Sequence, residues 1–427
     1  MKFTIRRNDI VEAIDRMFDV STKGTKTDFG LSHRIRIEAG DKLTLFATNG
    51  HLCAQCTVDC DSITEQGSAV FNAVTGRNIF RTIGGKGASD HKIEVELKDQ
   101  SLRIRDTNSE YKKWAKMHTL SEFDVFNIKV KKGMSYSVTA KELSSSINIV
   151  SKYKAALLFD QVYLMMCMHF LQSENRYICG NGLRFAVLSR KNKSNAKIND
   201  TDQGDKWIMP CDQASIISSV LSQFGDTDVD IVFPDKKSCF MQVKNLVLHL
   251  KSIPEMEYIE YDKHAYRFGD VVSIVDVPRS EFVDALSLVD AVRDKENEQE
   301  GDFLSCKFVA DSSTNILQVL VPTGKNQCEF ECPIKYYNVK SDTFKSEYSW
   351  AFLNDIANAT DHEYIRFYAI DPAGVMLAES MDLIKPNDKG EFESDARISV
   401  PCPAPINDKD SASLTFFFAA AINDDDE

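Results

Sequence analysis

Apolar positions at the start of the chain alternate and then change period. MKFTIRRNDIVEAIDRMF reads as a short strand followed by an amphipathic helix with Ile10 and Ile14 four residues apart on one face. The same change recurs in MSYSVTAKELSSSINIV, with Leu143 and Ile147, and in VVSIVDVPRSEFVDALSLV, with Phe282 and Leu286. In the third copy Pro278 and Ser280 signal a helix start. An acidic residue precedes each apolar anchor (Asp9, Glu142 and Glu281), so the copies lie 133 and 139 residues apart. A second strand-to-helix unit recurs at SAVFNAVTGRNIFRTI, DKWIMPCDQASIISSVL and EYSWAFLNDIANAT, with anchors Phe80, Ile216 and Ile356 spaced 136 and 140 residues apart. After each second helix come runs of period-two alternation: HKIEVELKDQSLRIRD, VDIVFPDKKSCFMQVKNLVLHLKSI and EYIRFYAIDPAGVMLAE. Hairpins are predicted to bend at Lys98, Asp99 and Gln100 and at Asp235, Lys236 and Lys237.

Any two α+β domains share such elements by chance, but three copies in matching order and spacing do not. The chain therefore reads as three tandem domains over residues 1–130, 131–262 and 263–427, each with two helices packed on antiparallel sheet. The polar stretches at 191–206, 294–300 and 383–397 read as solvated insertions.

Composition fits this picture and complicates one part of it. The 427 residues are 43% apolar and 27% charged, as in ordinary globular proteins. MKFTIRRNDIVEAI carries charges where a signal peptide needs an apolar core, and no window approaches a membrane span, so the expectation is a cytoplasmic protein without a membrane partner. Eleven cysteines scattered through strand-like segments suit reduced, buried thiols. A net charge of −13 argues at first against a nucleic-acid partner. Partitioned, it falls in the last domain: residues 263–427 hold 15 Lys+Arg and 31 Asp+Glu, so the other 262 residues hold 36 and 33.

Enzyme motifs are not convincing. His51, Cys53, Cys56 and Cys60 include a CxxC, but zinc needs four ligands in closed geometry, and Cys328 and Cys332 stand far away with the wrong spacing. Gly84, Gly85, Lys86 and Gly87 suggest a phosphate loop, yet Phe80 stands where its first glycine belongs, and Gly87 replaces the Ser or Thr after the lysine. A helix end with a flexible turn is the better reading. No catalytic residue, metal or cofactor is expected.

Several segments together resemble the bacterial DNA polymerase III β subunit, the sliding-clamp family. They are the opening MKFTI, KLTLFATNGHLCA with Asn49, Gly50 and His51, its counterpart ICGNGLRFAV, LHLKSIPEMEYIE, LNDIANATDHEYIRFYAIDPAGVMLAE and the late strand LTFFFAAAI. The resemblance covers almost the whole chain and does not distinguish a cellular from a bacteriophage or mobile-element member. It implies a three-domain α+β clamp fold that forms half of a closed ring. Two copies would meet head to tail, with helices lining the hole and sheets outside. The function implied is that of a processivity factor that encircles duplex DNA without sequence readout and tethers the replicative polymerase, with a clamp loader as a further partner. A clamp-fold scaffold that does not encircle DNA is the alternative.

The resemblance also nominates residues. Lys23 and Lys26 after the first helix, Lys152, Tyr153 and Lys154 after its counterpart, and Arg77 and Arg81 (with Lys86) on or after the second helix would face DNA. A partner-peptide groove would take Gly180, Gly182, Leu183, Arg184, Phe185, Pro254, Tyr258, Ile259, Phe416, Phe418 and Ala420. This chain departs from the family's groove: Gly180-Asn181-Gly182-Leu183-Arg184 replaces Thr-Asp-Gly-His-Arg, and an acidic tail from Asn423 to Glu427 follows the last strand. Tyr111 or Trp114 on one copy and Val289 or Val292 on the other would meet at the dimer interface.

Overall fold

The computed structural model describes residues 1–23, 33–85, 90–108, 113–123, 128–130, 132–154, 167–171, 176–180, 184–190, 206–235, 237–251, 273–292, 305–323, 326–338, 341–359, 363–369, 375–381 and 412–419. Among these residues are six α-helices: α1 (Arg7–Thr22), α2 (Ala73–Thr82), α3 (Ala140–Val150), α4 (Cys211–Leu221), α5 (Arg279–Val292) and α6 (Trp350–Ala357). All the strand pairs described are antiparallel, so the fold is α+β. The proposed insertions at 294–300 and 383–397, and nearly all of that at 191–206, lie outside the described residues.

The three copies seen in the sequence share one backbone device. In each copy the leading N–H of the first helix is satisfied by a distant carbonyl: Arg7 donates to His91, Ala140 to Thr227 and Arg279 to Glu363. Helix α1 has no side-chain cap, whereas the Thr139 hydroxyl caps α3 by accepting from the Glu142 N–H at 3.2 Å. Each backbone bond ties a helix start to the residue before or beside the strand that pairs with the one leading into that helix. The third helix starts directly after Pro278, one residue ahead of the Ser280 the sequence suggested. In the first and third copies the same arginine also reaches the end of the second helix. The Arg7 guanidinium donates to the carbonyls of Phe80 and Arg81, and that of Arg279 to Ala357 at 2.8 Å.

By contacts the chain divides into two compact units, residues 1–148 with 193–256 and residues 149–192 with 257–427. The first contains an eight-stranded sheet in the order Met134–Thr139, Asp228–Asp235, Ser238–Val243, Leu246–Lys251, Leu52–Val58, Leu43–Thr48, Arg34–Ala39, Gly67–Asn72. It also contains a five-stranded sheet in the order Ser62–Glu65, Lys2–Arg6, Lys92–Lys98, Ser101–Asp106, Trp114–His118. Alternating residues of these strands, such as Phe3, Ile5, Val95, Ile104, Leu45 and Ala54, are buried, as are Ile10, Ile14 and Met17 of α1. Asp99 and Gln100, both at positive φ, form the hairpin bend predicted there. Helix α2 packs closely on its own strand, because a Cβ at Gly76 would stand 2.4 Å from the Phe71 ring.

In the second unit, eight strands lie in the order Cys167–Leu171, Arg176–Gly180, Arg184–Arg190, Ala412–Ala419, Val375–Met381, Tyr364–Ala369, Ser273–Pro278, Lys335–Asn338. A four-stranded sheet runs Asn326–Pro333, Ile316–Thr323, Ser305–Asp311, Thr343–Ser349. Its core is aromatic: Phe308 lies within 5.4–6.0 Å, centroid to centroid, of Phe344, Tyr348 and Phe367. Asp276 and Arg366 face each other across two strands in a buried bidentate ion pair at 2.6 and 2.7 Å. Removing one partner leaves the other charge buried and alone. Asp276→Ala is expected to lower stability by about 3–5 kcal/mol in chemical denaturation, whereas an exposed pair such as Lys42 with Asp59 should be nearly silent when broken.

Candidate nucleic-acid interface

In the first unit the helices form a row, α2 beside α1, α1 beside α4 and α4 beside α3. Arg77 and Arg81 of α2 reach Asp15 of α1 at 2.7 and 2.6 Å. Asp19 of α1 accepts a 2.5 Å bond from Ser219 of α4. Ser218 of α4 donates to the Ser144 carbonyl and the Asn148 side chain of α3. A buried amide pair fixes α4 to the first sheet: Asn49 donates to Gln213 at 2.9 Å while its own oxygen accepts from the N–H groups of His51 and Leu52. Asn49, singled out from the sequence within the NGH run, thus holds a turn and a neighbouring helix together.

The proposed DNA residues separate into two groups. Lys23, Arg77 and Arg81 lie on this helical row, half-exposed or more than a quarter exposed, and each is held by a carboxylate of α1. Lys23 pairs with Asp19 at 3.2 Å and also donates to Ser219 at 3.0 Å. The Arg77 guanidinium additionally covers the Phe18 ring at 4.1 Å. In the second unit Lys152, Tyr153 and Lys154 lie on and just after a single 3-10 turn, Ser151–Tyr153, that continues α3. The two lysines are exposed or half-buried, but Tyr153 is 1% exposed. Its ring is packed inside, so it supports the turn that presents the lysines instead of stacking on a base. Lys26 and Lys86 lie outside the described residues.

The helices themselves carry no cationic surplus: α1 to α6 hold six Lys or Arg and ten Asp or Glu. Sequence reasoning picked out the cations of this face and missed the acids that hold them. The signal was present in part, since Glu12 with Arg16 and Asp19 with Lys23 stand at the i,i+4 spacing of helical ion pairs. The bonds from Asp15 to α2 join residues more than 60 positions apart, which no local pattern reveals.

Of the groove residues, Gly180 ends a strand and pairs with Phe185. The strand carrying Phe416 and Phe418 lies directly beside that of Arg184, with Arg184 opposite Phe418 and Ala186 opposite Phe416. The backbone therefore brings together the two groove segments that the sequence nominated far apart. Gly182, Leu183, Pro254, Tyr258, Ile259 and Ala420 lie outside the described residues. Of the interface residues, Trp114 is 62% exposed at the start of an edge strand, whereas Val289, on α5, is wholly buried. Tyr111 lies outside the described residues, as does the side chain of Val292.

Cys53 and Cys56 stand three residues apart on one strand and so point to opposite faces, which prevents them from chelating one ion. Among the described residues no group of three or more His, Cys, Asp or Glu is placed to hold a metal, and no described helix is long and apolar enough to cross a membrane.

Two helices per copy packed on antiparallel sheets, repeated along the chain, define the DNA-clamp fold. The chain has the fold of the DNA polymerase III β subunits: it matches the sliding clamp of Bacillus subtilis with a TM-score of 0.77 at 14% identity, over 99% of both chains. The β subunit of Pseudomonas aeruginosa matches with a TM-score of 0.75 at 16% identity, and that of Thermotoga maritima with 0.73 at 13%, each over 99% of this chain and 100% of the other. No protein-family model and no curated protein matches the sequence.

The Cys60 thiol, just past the strand Leu52–Val58, is disfavoured as a thiolate. Burial pushes Cys60 up to about 11, reinforced by the neighbouring carboxylates Asp61, Asp59 and Asp9. In the folded protein its alkylation should be slow at pH 8 and accelerate toward pH 11, as read by mass spectrometry of the labelled peptide. Rapid labelling at neutral pH would contradict this environment.

Proposed function

We propose that the protein is a DNA sliding clamp: two copies close head to tail into a ring around duplex DNA and tether a replicative polymerase. The three domains would span residues 1–130, 131–262 and 263–427. The observation that carries this reading is a regularity in how sheets are joined. In the first unit, Leu246–Lys251 pairs with Leu52–Val58, placing Val247 opposite Gln55. In the second, Ala412–Ala419 pairs with Arg184–Arg190, placing Thr415 opposite Val187.

When the copies are aligned on their hairpins, Thr415 corresponds to Val247 and Val187 to Gln55, so both joins have one register. The corresponding third pair of strands is Trp114–His118 and Asn326–Pro333. Each is the edge of its own sheet. A second copy supplies the missing partner, with Trp114 opposite Glu329 and Lys116 opposite Gln327. Charge favours this closure, because Lys116, Arg103 and Arg105 flank one edge while exposed Glu329 and Glu331 flank the other. Unpaired strand edges call for such cover.

Lys23, Lys26, Arg77, Arg81, Lys152 and Lys154 would face phosphates through loose, exchangeable contacts suited to sliding. The segments around Gly180–Phe185 and Phe416–Ala420, with Pro254, Tyr258 and Ile259, would accept apolar anchors of a polymerase or clamp-loader peptide. The solved structures that share the fold are described as DNA polymerase III β subunits and sliding clamps, which supports the same function. The chain itself would catalyse no reaction.

Retention after loading separates this reading from a scaffold: the protein should remain on circular duplex and run off once the circle is cut, and equal retention on both would refute the ring. Trp114→Cys with Glu329→Cys in one chain should be joined by a short bis-maleimide into a covalent dimer. Sedimentation as a monomer at micromolar concentration would exclude closure by a second copy.

A further inference from the structure

Helix α1 carries Glu12, Asp15 and Asp19 along one stripe, and these carboxylates engage cations from three places. Glu12 holds Arg16 at 3.2 Å on its own helix. Asp15 spends one oxygen on Arg77 and the other on Arg81 of α2. Asp19 takes Lys23, just past the helix, on one oxygen and Ser219 of α4 on the other. The cations are not buried by these bonds: Lys23 is 51% exposed, Arg81 46% and Arg77 29%. They sit at a surface where an incoming phosphate oxygen could replace the carboxylate.

We infer that Asp15 and Asp19 are attenuating residues that set how strongly this face grips duplex DNA, and that they act through Arg77, Arg81 and Lys23 without touching the nucleic acid. This inference rests on the clamp reading. A guanidinium already neutralised by a carboxylate releases fewer counterions when it meets a phosphate, because the phosphate must first displace the acid. A tether that encloses its substrate does not need adhesion to stay on, and strong adhesion would oppose sliding. The acids on α1 therefore keep the contact weak while leaving the cations in place to orient the duplex.

The arrangement is not explained by stability alone. Exposed ion pairs of this kind contribute about 0–1 kcal/mol each, and α1 is already anchored by the fully buried Ile10, Ile14 and Met17. Asp15 also reaches across to a second helix by a bidentate use of its two oxygens, where one salt bridge would serve packing.

The test is the salt dependence of binding to a short linear duplex, measured by fluorescence anisotropy for the full-length protein. Asp15→Asn with Asp19→Asn keeps the side-chain shapes, turns one acceptor oxygen of each into an amide donor, and frees three cations. It is expected to tighten low-salt binding by about three- to tenfold and to steepen the plot of log affinity against log salt by about 2–3. An unchanged slope overturns the inference.

A double-mutant cycle guards against misfolding of that variant: Arg81→Gln should lower the slope by about one in the Asp15→Asn background and by much less in the native background. Equal effects in both backgrounds also overturn it. Failure of the native protein to stay on circular DNA would sink the ring reading instead. The slopes, measured on linear duplex, are judged separately from that result.

Discussion

A strand at the end of a sheet exposes a row of N–H and C=O groups that must find partners in water or in another strand. The arrangement of this molecule follows from how that requirement is met. Two pairs of sheet edges are joined within the chain, Leu246–Lys251 to Leu52–Val58 and Ala412–Ala419 to Arg184–Arg190. The side-chain period of a strand is two, so a slip of one residue at the first join would turn buried Leu248 and Leu250, or Ala54 and Cys56, outward. The apolar pattern fixes the joins, and the joins fix which helices stand side by side. The row of α2, α1, α4 and α3 exists because the sheet beneath it is continuous.

The first helix of each copy is tied to that frame through its backbone, in α3 beside a Thr139 cap. A main-chain carbonyl receives the leading N–H of α1, α3 and α5 in turn. Where the first and third copies add an arginine that straps the second helix, the middle copy has Ala140. There α4 runs on into a short 3-10 turn, Ser222–Phe224, whose leading N–H returns to the carbonyls of Ser218 and Val220. Two solutions to the same problem, unsatisfied carbonyls at a helix end, thus coexist in one chain.

Much of this was legible in the sequence. The change from period two to period 3.6 at residues 6–7, 139–140 and 278–279 marks the helix starts, and the hairpin bends at Asp99 and Gln100 fall where polar turn residues interrupt alternation. The segments nominated around Gly180, Arg184, Phe416 and Phe418 fall on adjacent strands, an adjacency that no local pattern states. What escaped was whatever depends on distant partners. Tyr153 next to two lysines reads as a stacking aromatic, yet the turn places its ring inward. Val289 reads as a contact for a second copy, yet the turn of α5 directs it into the core. The charges on α1 and α2 read as separate sets, and only folding shows that they cancel.

Three copies of one plan in a single chain raise a problem of choice during folding, since any leading strand has three near-equivalent partners. The Asp276–Arg366 pair bears on this. The positions equivalent to Asp276 and Arg366 are Thr4 and Glu94 in the first copy and Ser137 and Asp230 in the second, paired in the same register. If the strand Ser273–Pro278 annealed to either wrong partner, Asp276 would meet Glu94 or Asp230, carboxylate against carboxylate, and lose the arginine that neutralises it. Only its own partner offers a cation. One buried ion pair therefore labels the third copy chemically and discourages the chain from threading its repeats in the wrong order.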